Sequence, residues 1–326
     1  MRAGTIAIVG RSNVGKSTLL NHILGEQLAI VSPLPQTTRD ALLGVVRRED
    51  AELSFLDTPG IHRPKTELGS RMNASAMSAA ESADVVVFVT DATNGTKLVK
   101  KKTKRSDAIP PLAELAPEDA ELLKSMSWLK KVPAVLALNK VDLVRDKGLL
   151  LPLLESYLQV VPFRSLVPMS ALQDDGIDRL LDEVGKLLPE GEAGYPDDTL
   201  TDKPSSFFVR EYVREQVLLG LKGEIPHAVA VSIDSFDEPA APPGGRPPAL
   251  RIQATIHVEK VGQRKIVVGT GGTVIKALRL GAEKRLAKLL DRKVKLELFV
   301  RVTPRWKETP RMLAELGYEK VGGGNS

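Results

Sequence analysis

Residues 5–17 read TIAIVGRSNVGKS, and the fold follows from how that stretch is built. Residues 5–9 form an apolar run that reads as a strand, and residues 17–24 read as a helix. Between them Gly10, Arg11, Ser12, Asn13, Val14, Gly15, Lys16 and Ser17 fit the pattern G-x-x-x-x-G-K-[ST]. The two glycines let the backbone curl so that its N–H groups face the oxygens of a phosphate chain. Lys16 offers a positive charge to the β and γ phosphates of a nucleotide, and the Ser17 hydroxyl can ligate Mg²⁺. The helix N-terminus, with Thr18 beside it, adds its dipole.

Further apolar runs occur at 51–56, 84–90, 132–138 and 165–169. Helical patterns at 118–131 and 176–188 separate some of them. Strands alternating with helices predict an α/β fold, a mostly parallel sheet with helices on both faces. Ligands then bind at the carboxyl ends of the strands. Three more loops fall there. Asp57, Thr58, Pro59 and Gly60, followed by Ile61, end the run 51–56. The Asp can hold Mg²⁺ through a water, and the Gly amide can sense a γ-phosphate. Asn139, Lys140, Val141 and Asp142 follow 132–138. A carboxylate at Asp142 can accept from both the ring N–H and the amino group of guanine, a donor pair that adenine lacks. Asn139 can reach the base and the phosphate loop, and the Lys140 stem can lie on the ring. Ser170, Ala171 and Leu172 follow 165–169, where backbone N–H groups can meet the guanine oxygen. A Thr that binds Mg²⁺ and the γ-phosphate belongs in the stretch 35–40 (PQTTRD), and Thr38 is favoured over Thr37. Lys16, Thr38, Asp57 and Gly60 form the expected catalytic set, and Ser17, Thr38 and Asp57 the expected Mg²⁺ set. The expected ligands are GTP and GDP.

Composition limits the alternatives. Over 326 residues, 42% are hydrophobic and 27% charged, as in an ordinary globular chain. Length suggests two domains. Cys is absent, which removes disulfides, Cys-ligated zinc and Cys nucleophiles together, and four His leave little for a His-based metal site. No apolar run reaches a membrane span, and the N-terminus does not read as a signal peptide. A cytoplasmic setting is expected.

The net charge of +5 is unevenly spread. Residues 1–200 carry 24 basic against 27 acidic residues, and residues 201–326 carry 22 against 14. Between Arg251 and Arg311 the balance is 16 against 5. That asymmetry suggests a polyanion-binding module behind a near-neutral one, with a solvated helix face as the plainer reading. The stretch 189–205, rich in Pro, Gly, Asp and Thr, reads as a linker. Beyond it, a helix at 206–222, strands at 228–236 and 250–259, a helix at 273–290 and a strand at 293–302 predict an α+β module. The Pro/Gly-rich segment between the first two strands is expected to be a mobile tip. Gly269, Thr270, Gly271 and Gly272 follow the apolar residues 266–268, flanked by Arg264, Lys265, Lys276, Arg279, Lys284 and Arg285. A G-x-x-G turn among basic residues has the shape of a KH loop, which clamps single-stranded RNA. Phe207, Phe208, Tyr212 and Phe299 are expected in the core. Trp306 could pack or touch RNA.

The four nucleotide motifs in order, with a KH-like module behind them, resemble the Era family of bacterial GTPases. The likeness runs through GRSNVGKSTLLNHILG, QTTRD, DTPGIHRPK, NKVD and the segment from GQRKIVVGTGG to MLAELGY, nearly the whole chain. Related GTPases such as Der and MnmE share the first half but lack a KH domain. The resemblance implies a P-loop GTPase domain over 1–190, a linker over 191–205, a type II KH domain over 206–320 and a tail over 321–326. It implies a GTP-hydrolysing switch, acting as a monomer, that binds the 3′ end of 16S rRNA and assists 30S assembly. It also implies peripheral association with the inner membrane, of which the residues themselves give no sign. Two readings compete with it: an RNA chaperone with incidental GTPase activity, and a GTPase whose basic half binds protein or anionic membrane.

The residues also depart from the expected pattern. Ile61 stands where Ras-like enzymes carry a water-orienting Gln, so slow intrinsic hydrolysis is expected. Asn13 resembles the Asn of potassium-activated members of the superfamily and could help coordinate K⁺, or simply shape the loop. Thr270 stands where many relatives carry Lys, which weakens one phosphate contact. Residues 97–117 look like an insertion, and their Lys/Arg run reads as a solvated loop or a second RNA contact.

Overall fold

The structure, a computed structural model, describes residues 1–94, 115–240 and 248–318. The expected insertion at 97–117 falls almost wholly outside these residues, as do most of the hairpin tip and the tail. The chain divides into two compact units. One comprises residues 1–29, 35–64 and 69–202; the other comprises 30–34, 65–68 and 203–326.

The first unit is built on a six-stranded sheet of order β2-β3-β1-β4-β5-β6. Its strands are β1 (Arg2–Val9), β2 (Leu42–Arg48), β3 (Ala51–Asp57), β4 (Val85–Asp91), β5 (Ala134–Asn139) and β6 (Ser165–Pro168). All pairings are parallel except β2 with β3. The central strands are covered on both faces, so they read as unbroken apolar runs: Ile6 to Val9, Val85 to Val89 and Val135 to Leu138 are all buried. The helices are α1 (Lys16–Leu24), α2 (Glu67–Glu81), α3 (Pro117–Ser125), α4 (Leu150–Leu158) and α5 (Ile177–Leu187).

Several elements differ from the sequence reading. The helix expected over 118–131 ends at Ser125, because Met126 leaves helical geometry (φ −99°, ψ 47°), and a separate 3₁₀ turn spans Ser127–Lys130. The break lets Met126 and Leu129 both enter the core. Strand β2 was not anticipated. Its outer edge is closed by the stretch expected to be linker: Val45 N–H donates to Leu200 O (2.9 Å), Gly194 N–H donates to Glu52 Oε1 (2.7 Å), and Arg47 pairs with Glu52 (2.9 Å) and Asp197. Covering an edge strand in this way removes an aggregation-prone template.

The second unit holds a three-stranded sheet of order β7-β8-β9, with β7 (Ala230–Asp237), β8 (Leu250–Val258) and β9 (Val294–Val302). β7 and β8 are antiparallel, and β8 and β9 parallel. Helices α6 (Ser205–Gly220), α7 (Val261–Val268), α8 (Thr273–Leu289) and α9 (Pro310–Glu315) complete it. The order from α6 to β9, α-β-β-α-α-β, is that of a type II KH domain.

Phe207, Phe208 and Tyr212 are buried as expected, but Phe299 is 51% exposed. Along β9 the even-numbered Leu296 is buried, while Lys295, Glu297, Phe299 and Arg301 alternate onto the exposed face. Trp306 is fully buried, and its Nε1–H donates to Ala228 O (3.0 Å), so it serves packing rather than contact with RNA.

His257 on β8 is also buried, hydrogen-bonded through Nε2 with Ser232 Oγ (2.9 Å) and through Nδ1 with Thr303 Oγ1 (2.8 Å). Burial, helped by the positive charge of Arg301 and opposed by Asp234, holds its pKa below the ordinary 6.5. The folded ring therefore binds protons less readily than the unfolded one, so its contribution to stability falls as pH drops below about 6.5. In a Trp128→Phe background, where Trp306 alone reports, the urea midpoint should fall between pH 7 and pH 5. His257→Gln should flatten that fall.

Candidate nucleotide site and nucleic-acid face

The four motif loops of the first unit lie at the carboxyl ends of β3, β1, β5 and β6, with β4 between β1 and β5. Register places them at one level, with Ile8 opposite Asp57, Asp91 opposite Asn139, and Leu138 opposite Pro168. The phosphate loop turns through residues with positive φ: Gly10 (151°), Asn13 (64°) and Gly15 (104°). A side chain on Gly10 would strike Val89 O at 2.2 Å, and one on Gly15 would strike Asn139 Nδ2 at 2.3 Å. Glycine is required at both positions.

Asn139 joins three loops. Its Nδ2 donates to Val14 O (2.8 Å), and its Oδ1 accepts from Ala171 N–H (2.9 Å). Lys140, at φ 63°, bridges Asn13 O and Asp91 Oδ2, both at 2.8 Å. Burial alone would raise the Asp91 pKa, but hydrogen bonds from Lys140 and Thr93 hold it below the usual carboxylate range. Val141 N–H donates to Met169 O (3.2 Å). Asp142 is exposed and has no hydrogen-bond partner among the described residues. Ser170 is buried, its N–H donating to Asp175 O (2.9 Å), while Leu172 stands 69% exposed.

At the other end of the loop, buried Lys16 donates through Nζ to Gly10 O (3.1 Å) and Arg11 O (2.9 Å). Burial pushes its pKa down to about 8 against the opposing pull of Asp57. Asp57 is fully buried, and that burial raises its pKa against the effects of Lys16, Ser17 and Thr38. Ser17 Oγ donates to Asp57 Oδ2 (2.6 Å) and lies 2.8 Å from Thr38 Oγ1, which is 3.3 Å from the same carboxylate oxygen. Asp57 Oδ1 is buried without a partner among the described residues. Thr37 is also buried, and Thr58 Oγ1 donates to Ile8 O (2.8 Å). Ile61 N–H donates to Gly10 O (3.2 Å), which carries Pro59 and Gly60 against the phosphate loop. Two hydroxyls converging on a buried carboxylate that keeps one oxygen unpaired fit a hard divalent cation.

Sequence reasoning missed Asp119. This carboxylate on α3 is buried, accepting from Thr90 Oγ1 (2.6 Å) and Tyr157 OH (2.7 Å) through Oδ2 and from Arg11 Nη1 (3.5 Å) through Oδ1. Burial and the Asp119 charge push the Tyr157 pKa upward. The group ties phosphate-loop Arg11 to α3 and α4. The partners of Asp119 lie 29 to 108 positions from it, so no local pattern marks them. Asp119→Ala would remove the charged acceptor shared by the two buried hydroxyls and leave them only their bond to each other (2.9 Å). It should cost about 3 kcal/mol, read as a lower urea midpoint of the protein with and without GDP.

In the second unit, Gly269, Gly271 and Gly272 have φ of 73°, 60° and 77°. The expected loop therefore forms between α7 and α8. Arg264, Lys265 and Lys276 are exposed around it, and Lys284 is exposed farther along α8. The structure does not place all the expected cations there. Arg285 pairs with buried Glu215 (2.6 Å) and lies over the Tyr212 ring, and Arg279 pairs with Glu283 (2.8 Å). Helix periodicity turns Arg285 onto the inner face of α8, one turn beyond buried Ala282. Ile266, 52% exposed on α7 between the basic residues and the loop, is an apolar neighbour that the charge pattern did not flag.

Comparison with known proteins agrees with both halves. Residues 5–140 match a family described as 50S ribosome-binding GTPase, and residues 224–307 match the KH domain family. The chain is 37% identical over 318 residues to the GTPase Era of Ruminiclostridium cellulolyticum, covering 98% of each. It is 41% identical over 317 residues to that of Geobacter metallireducens, covering 97% of this chain and 98% of the relative. Two solved structures superpose with TM-scores of 0.86 at 35% identity, each across 98% of this chain. One is an Aquifex aeolicus Era variant bound to GDP and aluminium fluoride, covered over 100% of its length. The other, covered over 99%, is an Era protein in complex with MgGDPNP and nucleotides 1506–1542 of 16S ribosomal RNA.

Proposed function

Because this chain belongs to the Era family of GTPases, we propose that it binds and hydrolyses GTP and binds the 3′ end of 16S rRNA in assisting assembly of the 30S subunit. The observation that carries the reading is the meeting of Lys16, Ser17, Thr38 and Asp57 at the strand ends, with Asp142 free at the same edge. We assign the nucleotide domain to 1–190, the linker to 191–205 and the RNA-binding KH domain to 206–320.

Asn139 fixes the geometry of the base loop, and Asp142 selects guanine. Backbone N–H groups of residues 10–18 and the Lys16 ammonium hold the phosphates. Gly60 offers its amide to the terminal phosphate. Ser17 and Thr38 would hold Mg²⁺ directly and Asp57 through a water, which fits the unpaired Asp57 Oδ1. Bound there, Mg²⁺ neutralises phosphate charge. K⁺ coordination by Asn13 belongs to the same reading, and comparing turnover in K⁺ with that in Na⁺ separates it from a role in shaping the loop. Arg264, Lys265, Lys276 and the turn at 269–272 would meet the RNA backbone.

We place the protein in the cytoplasm as a monomer. Among the described residues no helix is long and apolar enough to cross a membrane. Peripheral association with the inner membrane enters only through the family resemblance. Crosslinking the protein to RNA in cells tests the reading. Reads at the 3′ end of 16S rRNA support it, and reads scattered over messenger RNA would overturn it. RNA binding indifferent to the bound nucleotide would favour a chaperone.

A further inference from the structure

The phosphate loop is held differently at its two ends. Residues 13 and 14 are tied to the base-recognition loop through Lys140 and Asn139. Residues 10 to 12 are tied to the terminal-phosphate side: Lys16 bonds to Gly10 O and Arg11 O, Ile61 N–H bonds to Gly10 O, and Arg11 bridges to Ile61. Ser12 sits where that end meets Gly60. A Cβ on Gly60 would come 2.6 Å from Ser12 Oγ, 2.7 Å from its Cα and 2.8 Å from its N. The Ser12 hydroxyl oxygen is inaccessible to solvent and has no hydrogen-bond partner among the described residues. A buried hydroxyl left unpaired costs free energy, so a hydroxyl kept at this position implies an acceptor that arrives with the ligand. The neighbouring Ile61 offers no polar side chain with which to orient water or stabilise charge.

We propose that Ser12 is a further catalytic residue of the GTPase reaction, its hydroxyl donating a hydrogen bond to an oxygen of the terminal phosphate as that group is transferred. In the reaction, the oxygen of water adds to the terminal phosphorus. The bond from that phosphorus to the bridging oxygen breaks, and its electron pair leaves on GDP. One proton of the water passes to the released phosphate. Ser12 keeps its own proton throughout and acts by stabilising charge on the group in flight.

This role rests on the hydrolysis reading given above, and the test separates the two. Ser12→Ala is compared with the parent in single-turnover GTP hydrolysis and in equilibrium GDP binding. The expected result is a fall in hydrolysis of about tenfold or more, with GDP affinity unchanged within about twofold, since GDP lacks the phosphate concerned. Hydrolysis within about threefold of the parent, or GDP affinity falling as far as hydrolysis, would overturn the role. A parent that releases no phosphate from GTP removes both the hydrolysis reading and the role of Ser12. A parent that turns over while the variant keeps its rate removes the role of Ser12 alone.

Discussion

Asp142→Asn should weaken GTP binding by about a hundredfold or more and confer binding of xanthosine triphosphate. The carboxylate has two acceptor oxygens for the two donors on the guanine edge, and nothing in the described protein competes for them. Hydrogen bonds to a charged group contribute roughly 1.5–3 kcal/mol each, so losing the pair accounts for a change of this size. Asn keeps one acceptor but turns a donor toward the guanine amino group, setting donor against donor. Xanthine carries a carbonyl at that position and accepts from the Asn amide. The side chain is exposed and makes no internal bond, so the unfolding midpoint should stay near that of the parent. Competition between the two nucleotides for the variant measures the exchange. A uniform loss of both would mean that Asp142 shapes the loop instead of reading the base.

The second large effect concerns the turn before α8. Gly271→Asp should reduce affinity for single-stranded rRNA by roughly tenfold to a hundredfold and leave the domain folded. Gly271 lies at φ 60°, ψ 20°, the left-handed region that Asp and Asn tolerate best among residues with a side chain. An added Cβ there meets nothing within 4 Å. What changes is charge, now negative beside the RNA backbone. Gly271→Asn is the neutral control and should keep most of the affinity. Gly269 is a different case, since a Cβ there would come 2.5 Å from Val274 Cγ2 and 2.9 Å from Val274 N. Substitution at Gly269 would damage the turn itself and give no information about charge.

These two residues were legible in the sequence because each sits in a short pattern whose chemistry is local. The same holds for the phosphate loop and for the parallel strands, whose burial on both faces leaves continuous apolar runs. Legibility ended where structure depends on distant partners. Strand β2 (LLGVVRR) carries a central Gly and two Arg and is stabilised along its edge by residues 194–200. Helix α4 (LLPLLESYL) has a Pro in its first turn, which obscured its period. Asp119 looks like an ordinary first-turn acid on α3 until Arg11, Thr90 and Tyr157 converge on it. Arg285 counted toward the basic surface by composition alone, but the helix turns it toward Glu215. An aromatic residue in a strand reads as core, whereas alternation along β9 sets Phe299 on the exposed face.

Action as a switch implies that the nucleotide bound in one unit sets the RNA affinity of the other. Linkage makes this a single coupling free energy, measurable from either side. The direct measurement is equilibrium binding of a labelled RNA carrying the 3′ end of 16S rRNA. The full-length protein would be loaded either with a non-hydrolysable GTP analogue or with GDP, at several salt concentrations. Binding should be about tenfold tighter or more in the GTP-analogue form, weakening in both forms as salt rises. Equal affinity in the two nucleotide states would contradict it.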